Sequence, residues 1–317
     1  MLSSRPDVDP TASVSAITGV YFGIPSSLRV DRRIRERSLD AGSQPALRTT
    51  SYSKVNGAAT DQTVVTARGR LLDRLPAPVS LRLRAERNVR RILGLHAPAD
   101  LITGLVPRGR NAVDVGANRG IYTYWMGSRA VIVNAFEPQP ILAGYIRGAR
   151  LRNVRVHQVA LSNHSGVANM LVPEDDGLAR IASSDVNNAF SARAESELGM
   201  ATRIGVQIRT LDSFNLDNVG FLKIDAEGHE LAVLEGACET IAASRPVIFV
   251  ESEARHAQGA PSNVIRLILD EYGYRKAAFV YRWKLVDIRE FDVQRDQSRL
   301  LPDFMNLEYV SNFVFWP

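Results

Sequence analysis

AVDVGANRG at residues 112–120, VNAFEP at 133–138 and FLKIDAEGHE at 221–230 decide the fold of this chain. Each stretch is an apolar run that ends abruptly in glycine or acidic residues. Buried parallel strands have this appearance, because both of their faces are covered and only their C-terminal ends meet a ligand crevice. The three stretches therefore predict a parallel sheet with a binding site at its C-terminal edge.

Beyond residue 110 the chain alternates between strand and helix patterns. The predicted strands are 111–115, 131–136, 154–159, 220–225 and 246–251. Apolar residues at helical spacing predict helices over 139–151, 229–243 and 262–272. Because the connections are long enough to cross over the sheet, this alternation favours a parallel α/β fold.

Three other segments complete this outline. Apolar runs near 277–287 and 307–316 predict an antiparallel edge of the sheet. The segment 173–203 is long, polar and poorly periodic, and such a segment in a compact domain is typical of a substrate loop or lid. Cys238 falls on the apolar face of the helix predicted over 229–243, so we expect its side chain in the core.

The chain has 317 residues, 45% of them hydrophobic, which is enough for one large or two modest domains. Residues 1–65 are rich in Ser, Thr, Ala and Arg without a sustained period, which predicts a basic, partly ordered N-terminal extension. Short helical patterns over 66–110 predict N-terminal helices that cap the core. We expect residues 111–317 to form the α/β domain.

Charge and targeting signals narrow the functional class. The formal net charge is +5, and basic residues cluster in RVDRRIRER at 29–37 and RLRAERNVRR at 82–91. These clusters indicate either a surface attracted to phosphates or simply an arginine-rich composition. The N-terminus lacks the layout of a signal peptide, and no apolar run reaches the roughly 18–20 residues that span a bilayer. We therefore expect a soluble, cytoplasmic protein without a transmembrane segment.

The first two strand ends have the pattern of a nucleoside-binding site. Gly116 permits a tight turn directly after the strand, and Gly120 lets the next helix pack closely on the sheet. Asn118 stands where a dinucleotide fingerprint has the glycine that admits a pyrophosphate, which argues against NAD and FAD. Glu137 lies 21 residues beyond Gly116, where a carboxylate accepts hydrogen bonds from ribose hydroxyls. Adenosine without pyrophosphate indicates S-adenosylmethionine, with Asp114 and Asn118 near its methionine end.

The combined motifs resemble the FkbM family of S-adenosylmethionine-dependent methyltransferases. The motifs that carry this resemblance are DVGANRG, AFEP, VALSN, RTLDSF, KIDAEGHELAVLEGA and NFVFWP. The resemblance covers about residues 110–317 and implies a class I methyltransferase fold: a seven-stranded, mostly parallel sheet with an antiparallel last strand and helices on both faces. It also implies O-methylation of a hydroxyl on a sugar, glycan or secondary metabolite. The implied cofactor-binding residues are Asp114, Gly116, Ala117, Asn118, Glu137, Pro138, Ala160 and Leu161.

Polar residues after the fourth and fifth predicted strands are candidates for the chemistry. Methyl transfer to a hydroxyl benefits from a base that takes the proton, a contribution of about 10²–10⁴-fold. Asp225, Glu227 and His229 follow the fourth strand, and Glu251 follows the fifth. We expect Asp225 or Glu227 to be the general base or to orient the acceptor, with His229 and Glu251 as further candidates. Alternatively, Glu227 and Glu230 only complement a helix dipole.

Other functions remain open at this stage. Carboxylates can hold Mg²⁺, but no ligand spacing fixes a metal site, so no metal is predicted. Nucleic acid is disfavoured as a substrate, because the Asp/Asn-Pro-Pro-Tyr motif of DNA N-methylating enzymes does not follow the fourth strand and Cys238 is misplaced for a cytosine C5 enzyme. We therefore expect a small-molecule or glycan acceptor. The alternatives are an NAD-linked sugar oxidoreductase or epimerase, and a non-catalytic binding module.

Overall fold

The computed structural model describes residues 75–91, 97–173, 180–182, 201–256, 260–282, 284–303 and 308–317. The extension predicted over residues 1–65 lies outside them, and so does most of the polar segment 173–203. Among the helices described, none is long and apolar enough to cross a membrane.

The strands of the described residues form two sheets. They are β1 (Asn111–Val115), β2 (Val133–Phe136), β3 (Val154–His157), β4 (Ala160–Leu161), β5 (Gly166–Pro173), β6 (Arg180–Ala182), β7 (Ala201–Arg209), β8 (Val219–Ile224), β9 (Val247–Glu251), β10 (Lys276–Tyr281), β11 (Lys284–Asp287) and β12 (Asn312–Trp316). The larger sheet has eight strands in the order β11-β10-β12-β9-β8-β1-β2-β3. The smaller has four, in the order β4-β7-β5-β6.

The larger sheet is mostly parallel, as the sequence predicts. Strands β3, β2, β1, β8 and β9 are parallel neighbours. The last strand of the chain, β12, lies antiparallel between β9 and β10. This confirms the expected fold class, with one strand more than the expected seven. The run 277–287 folds into two strands, β10 and β11, which pair antiparallel with Tyr281 opposite Lys284.

Helices cover both faces of the larger sheet, which is also as expected. They are α1 (Ala77–Arg91), α2 (Ala97–Leu105), α3 (Ile121–Gly127), α4 (Pro140–Gly148), α5 (Glu230–Glu235), α6 (Cys238–Ser244), α7 (Ser262–Arg266) and α8 (Val293–Asp296). Successive residues of a strand point to opposite faces. Ala112 and Phe221 pack with residues of α1, α2 and α3, whereas Val113 and Leu222 pack with residues of α5, α6 and α7.

The helix predicted over 229–243 is broken into α5 and α6. The break falls at Gly236, where a Cβ atom would lie 2.0 Å from the carbonyl oxygen of Ser162. Asp212 caps the new helix, since its carboxylate accepts hydrogen bonds from the backbone amides of Glu239 and Thr240 at 3.0 and 2.8 Å. The prediction that Cys238 belongs to the core is wrong: the break changes the helix phase and leaves Cys238 exposed at the start of α6.

The smaller sheet is absent from the sequence-based prediction. It lies in the chain between β3 and β8, and its long strand β7 pairs antiparallel with β5 and parallel with the short β4. Ala160, Met170, Val206 and Ile208 form its apolar cluster. Because β4 directly follows β3, this sheet starts beside the C-terminal edge of the larger one.

Candidate active site

A cleft opens at the C-terminal ends of β1, β2 and β8. Its polar lining comes from the residues that follow these three strands: Gly116, Asn118, Glu137, Pro138, Asp225 and Glu227. These are the three strand ends that the sequence identifies as a binding site. Parallel neighbours end at the same edge of a sheet, so residues far apart in the chain meet here.

The turn after β1 is packed directly against the end of β8. Gly116 has a φ of +69°, and a Cβ atom on it would lie 1.8 Å from the carbonyl oxygen of Asp225. The backbone amides of Gly116 and Ala117 both donate to the carbonyl oxygen of Phe136, at 3.1 Å each. Only glycine combines this φ with such a close backbone approach. The turn therefore ties the ends of β1, β2 and β8 together.

Glu137 holds the other side of this turn. Its side chain is only 3% exposed, and its two carboxylate oxygens accept hydrogen bonds from the backbone amides of Asn118 at 2.8 Å and Gln139 at 2.9 Å. Burial raises the pKa of Glu137 to about 7, although the two amides act in the opposite direction. Each carboxylate oxygen has a further lone pair, so Glu137 can still accept hydrogen bonds from a ligand in the cleft.

One wall of the cleft is apolar. Phe136, Val159 and Met170 line it, together with Ala160 and Leu161, two of the cofactor-binding residues that the family resemblance implies. The Phe136 ring is stacked on the ring of His157 with 4.6 Å between centroids. Met170 comes from β5 of the smaller sheet, which sequence reasoning missed because only the pairing of β4, β5 and β7 brings it here. Such a wall suits a flat, weakly polar ring system.

Lys223 joins the turn after β1 to the carboxylates of Asp114 and Asp225. This side chain is 2% exposed, and its Nζ lies 3.1 Å from Asp225 Oδ2, 3.4 Å from Asp114 Oδ1 and 3.2 Å from the carbonyl oxygen of Gly116. Nζ also lies 4.9 Å from the centre of the Tyr122 ring. Burial alone would lower the pKa of Lys223, but the charges of Asp225 and Asp114 outweigh it and raise that pKa. The sequence places Lys223 in a buried strand but gives no sign of these partners.

Asp114 lies behind the cleft rather than in its lining. It is fully buried, and its Oδ2 accepts a hydrogen bond from Thr123 Oγ1 at 2.5 Å. Burial raises the pKa of Asp114, and the Lys223 ammonium opposes this rise. Ala117 is also buried outside the lining. Any effect of Asp114 on a ligand therefore passes through Lys223 and the turn that Lys223 holds.

Of the candidate catalytic residues, the structure brings Asp225 and Glu227 into the cleft lining. His229 lies elsewhere: its Nε2 is 3.0 Å from Ser162 Oγ, on the side of β4, and burial lowers its pKa. Glu251 ends β9, and burial raises its pKa well above the usual range, with the charges of Asp225, Glu253 and Glu227 adding to the effect. Neither His229 nor Glu251 lines the cleft.

Glu230, which the sequence assigns to a helix start, does begin α5. Its Oε1 accepts a hydrogen bond from the backbone amide of Gly228 at 2.7 Å, and burial raises its pKa to about 7. Its contacts are those of a helix-terminal residue. Among the described residues, no group of three or more His, Cys, Asp or Glu side chains has an arrangement that could hold a metal ion.

His256 follows the fifth predicted strand, and the sequence indicates a structural or exposed histidine that merits attention for this position; in the structure it lies beside Glu227. His256 Nδ1 is 3.3 Å from Glu227 Oε2, and the side chains of these residues are 3% and 19% exposed. His256 follows β9 in the turn that begins at Glu253, whose carboxylate accepts hydrogen bonds from Arg255 and from the Tyr309 hydroxyl. The distance of 29 residues between Glu227 and His256 along the chain hides this contact from sequence-based reasoning.

Comparison with known proteins identifies the type of domain. The sequence model of the methyltransferase FkbM domain matches residues 114–276, just over half of the chain. Methyltransferase sdnD of Sordaria araneosa is 25% identical over 164 residues, which cover 42% of this chain and 62% of that protein. Methyltransferase 1 of Beauveria bassiana is 28% identical over 141 residues, which cover 39% of this chain and 57% of that protein. The chain thus spans about three fifths of the length of these curated relatives.

A solved structure is similar over a wider range. The crystal structure of methyltransferase FkbM from Methylobacillus flagellatus KT has 16% identical residues and a TM-score of 0.41, and the match covers 80% of this chain and 59% of that one. The matched domain favours a methyltransferase over the NAD-linked enzyme and the binding module that the sequence left open.

Proposed function

Since the chain belongs to the methyltransferase FkbM family, we propose that it methylates a hydroxyl group of a sugar, a glycan or a secondary metabolite. S-adenosylmethionine is the methyl donor. The observation that supports the donor half most strongly is the buried carboxylate of Glu137, which is held by the backbone of the turn after β1. The acceptor half rests on the carboxylates that face the same cleft.

The residues of the cleft fit the chemistry of the donor. Ribose hydroxyls donate hydrogen bonds, and the Glu137 carboxylate has lone pairs to accept them. The apolar wall with Phe136, Leu161 and Met170 suits an adenine ring. Pro138 and Ala160 line the cleft next to these groups, and Asn118 lies at the turn. We assign donor binding to these residues, to the backbone of Gly116 and Ala117 and, through Lys223, to Asp114.

The affinity for S-adenosylhomocysteine should depend on the protonation of Glu137. The Glu137 pKa of about 7 in the free protein means that ribose binding, which favours the ionised carboxylate, weakens as the pH falls. We expect the dissociation constant to rise roughly tenfold between pH 8 and pH 6. Calorimetry with Glu137→Gln should show weaker binding and a nearly flat pH dependence. The control Glu239→Gln changes an exposed residue and should keep the slope of the wild type; an equal slope in Glu137→Gln would contradict the assignment.

The described residues on the acceptor side include carboxylates that can act as bases. As the acceptor oxygen forms its bond to the methyl carbon, its O–H bond breaks and the proton passes to a carboxylate; the electron pair of the broken C–S bond stays on sulfur. Besides Glu137, which we assign to donor binding, Asp225 and Glu227 are the carboxylates among the described residues that line the cleft. A base at this position contributes about 10²–10⁴-fold to the rate, and alignment of the reacting atoms contributes further.

Removing either carboxylate charge should therefore lower turnover strongly but change the affinity for the methyl donor only slightly. For Asp225→Asn and Glu227→Gln we expect kcat to fall by about 100-fold or more, with a dissociation constant for S-adenosylhomocysteine within about threefold of wild type. The matched control is Asp217→Asn. Asp217 is exposed and lies just before the first residue of β8, at the end of the strand away from the cleft. Full turnover in both variants would remove these residues from the chemistry.

The acceptor class can be tested directly. The protein is incubated with S-adenosylmethionine that carries a labelled methyl group and with a panel of glycosides, polyols, phenols and amines. We expect the label in an ether that resists mild alkali. A methyl ester or a methylated amine as the product would contradict transfer to a hydroxyl, while leaving the methyltransferase assignment intact.

A further inference from the structure

We propose that His256 is a positioning residue for Glu227: its Nδ1 lies 3.3 Å from Glu227 Oε2, and a proton on that nitrogen holds the carboxylate ionised and directed into the cleft. This makes Glu227, rather than Asp225, the general base. The inference rests on the proposed function for its catalytic consequence. The contact itself has a test that needs no acceptor.

The geometry of the loop after β8 supports a fixed Glu227. Glu227 has a φ of 49°, a left-handed conformation that non-glycine residues rarely adopt and that the surrounding contacts must maintain. The next residue, Gly228, has a φ of +96°, and a Cβ atom on it would lie 3.0 Å from the carbonyl oxygen of His256. The loop is thus packed on the turn that carries His256. The same packing places His256 Nδ1 3.3 Å from Glu227 Oε2.

The turn with His256 is itself held in place. The backbone amide of His256 donates to the carbonyl oxygen of Glu253 at 3.0 Å. The amide of Ala254 donates to the Gln297 side chain at 2.8 Å, and Gln297 Nε2 donates to the carbonyl oxygen of Ser252 at 2.9 Å. These bonds fix the backbone that leads into His256, and its side chain is only 3% exposed, so neighbouring atoms restrict its rotation. A donor fixed in this way orients its acceptor.

Several charged groups surround Glu227. The charges of Asp225, Glu253 and Glu227 contribute to the raised pKa of Glu251, after burial. Arg255 also interacts with Glu227, but it is bound in two hydrogen bonds to Glu253. A hydrogen bond from His256 favours the ionised form of Glu227.

Asp225 has a different partner, and this distinguishes the two carboxylates. Its Oδ2 is 3.1 Å from the Lys223 ammonium, which is buried and whose pKa is raised. Transfer of a proton to Asp225 would break this ion pair. Glu227, with an imidazole partner, is the better proton acceptor. The proton of the acceptor hydroxyl therefore goes to Glu227, while Asp225 and Lys223 supply fixed charges beside it.

The test with turnover uses five variants and the acceptor found with the panel. We expect His256→Leu to lower kcat by about 10–100-fold, with the KM for S-adenosylmethionine within about threefold, and to move the acid limb of the pH profile upward by about one unit. His256→Asn keeps a donor at the position of Nδ1 and should restore most of kcat and the position of the limb. Glu227→Gln with His256→Leu should be no slower than Glu227→Gln alone. His164→Leu changes an exposed histidine and serves as the matched control.

The test without turnover uses the full chain labelled with ¹⁵N-histidine. We expect the neutral His256 ring to carry its proton on Nδ1 in the wild type. In Glu227→Ala the ring should shift towards the form with the proton on Nε2. The signals of His256 are assigned as those that disappear in His256→Leu. A ring with the proton on Nε2 in both proteins would overturn the proposal. If the proton is on Nδ1 but no hydroxyl is methylated, the contact stands and the proposed function fails. Methylation that is unchanged in His256→Leu overturns the positioning role alone.

Discussion

Gly116→Ala is expected to abolish measurable binding of S-adenosylhomocysteine. The new Cβ atom would lie 1.8 Å from the Asp225 carbonyl oxygen. The alanine would also have to adopt a φ of +69°, which is unfavourable for any residue other than glycine. Together, the backbone strain and the overpacking should lower the free energy of unfolding by about 2–5 kcal/mol. Displacement of the turn by about 1 Å should lower turnover by roughly 100-fold as well. Calorimetry and urea denaturation measure the two effects.

The chain contains a matched control for this change. Gly109 has a φ of +75°, but an added Cβ atom there would meet nothing within 4 Å. Gly109→Ala should therefore show the backbone strain alone, about 1–2 kcal/mol, with normal binding. If Gly116→Ala binds S-adenosylhomocysteine as well as Gly109→Ala does, the close contact between the turn and β8 is not required for the site.

Lys223→Met is expected to be the most destabilising charge removal at this site. Methionine keeps much of the volume, but the buried Asp114 and its neighbour Asp225 lose their shared cation. Removing one partner of a buried ion pair costs about 3–5 kcal/mol. Urea denaturation measures the loss, and the exposed Lys284→Met should cost less than about 0.5 kcal/mol. Equal losses in the two variants would refute the role of Lys223.

The pH dependence of this loss has a definite sign. Burial already raises the pKa of Asp114, and without Lys223 it rises further. A carboxyl group whose folded pKa lies above its unfolded pKa destabilises the protein increasingly as the pH rises through that interval. The stability deficit of Lys223→Met should therefore be larger at pH 8 than at pH 5. The raised pKa of Lys223 means that its own contribution in the wild type is lost only above the usual range of lysine.

The arrangement of the turn after β1 and of Glu137 was largely predictable from the sequence because its signals are local. The turn at Gly116 and the carboxylate of Glu137 each directly follow an apolar strand, and neighbouring parallel strands bring such ends together. The number of strands was less predictable, since the run 277–287 contains no signal that distinguishes one bent strand from the hairpin of β10 and β11.

The partners of the acceptor half were not predictable, because they depend on contacts between distant segments. In the sequence Lys223 is simply one residue of an apolar strand, and its partners come from the packing of the turn after β1 against β8. His256 contacts Glu227 because β9 pairs with β8 in the sheet. The break at Gly236, which exposes Cys238, likewise depends on a backbone contact with Ser162. Periodicity reports the burial of an element, but it carries no information on which distant group will touch it.

The position of β12 has a consequence for biosynthesis. This strand is the last of the described strands to leave the ribosome, yet it lies inside the larger sheet, between β9 and β10. Until residues 312–316 emerge, β9 and β10 each present an open hydrogen-bonding edge with buried-type side chains such as Phe249 and Phe279. Open edges of this kind are sites of aggregation. Both edges therefore stay exposed in the nascent chain until residues 312–316 have been synthesised, because this sheet cannot close without β12.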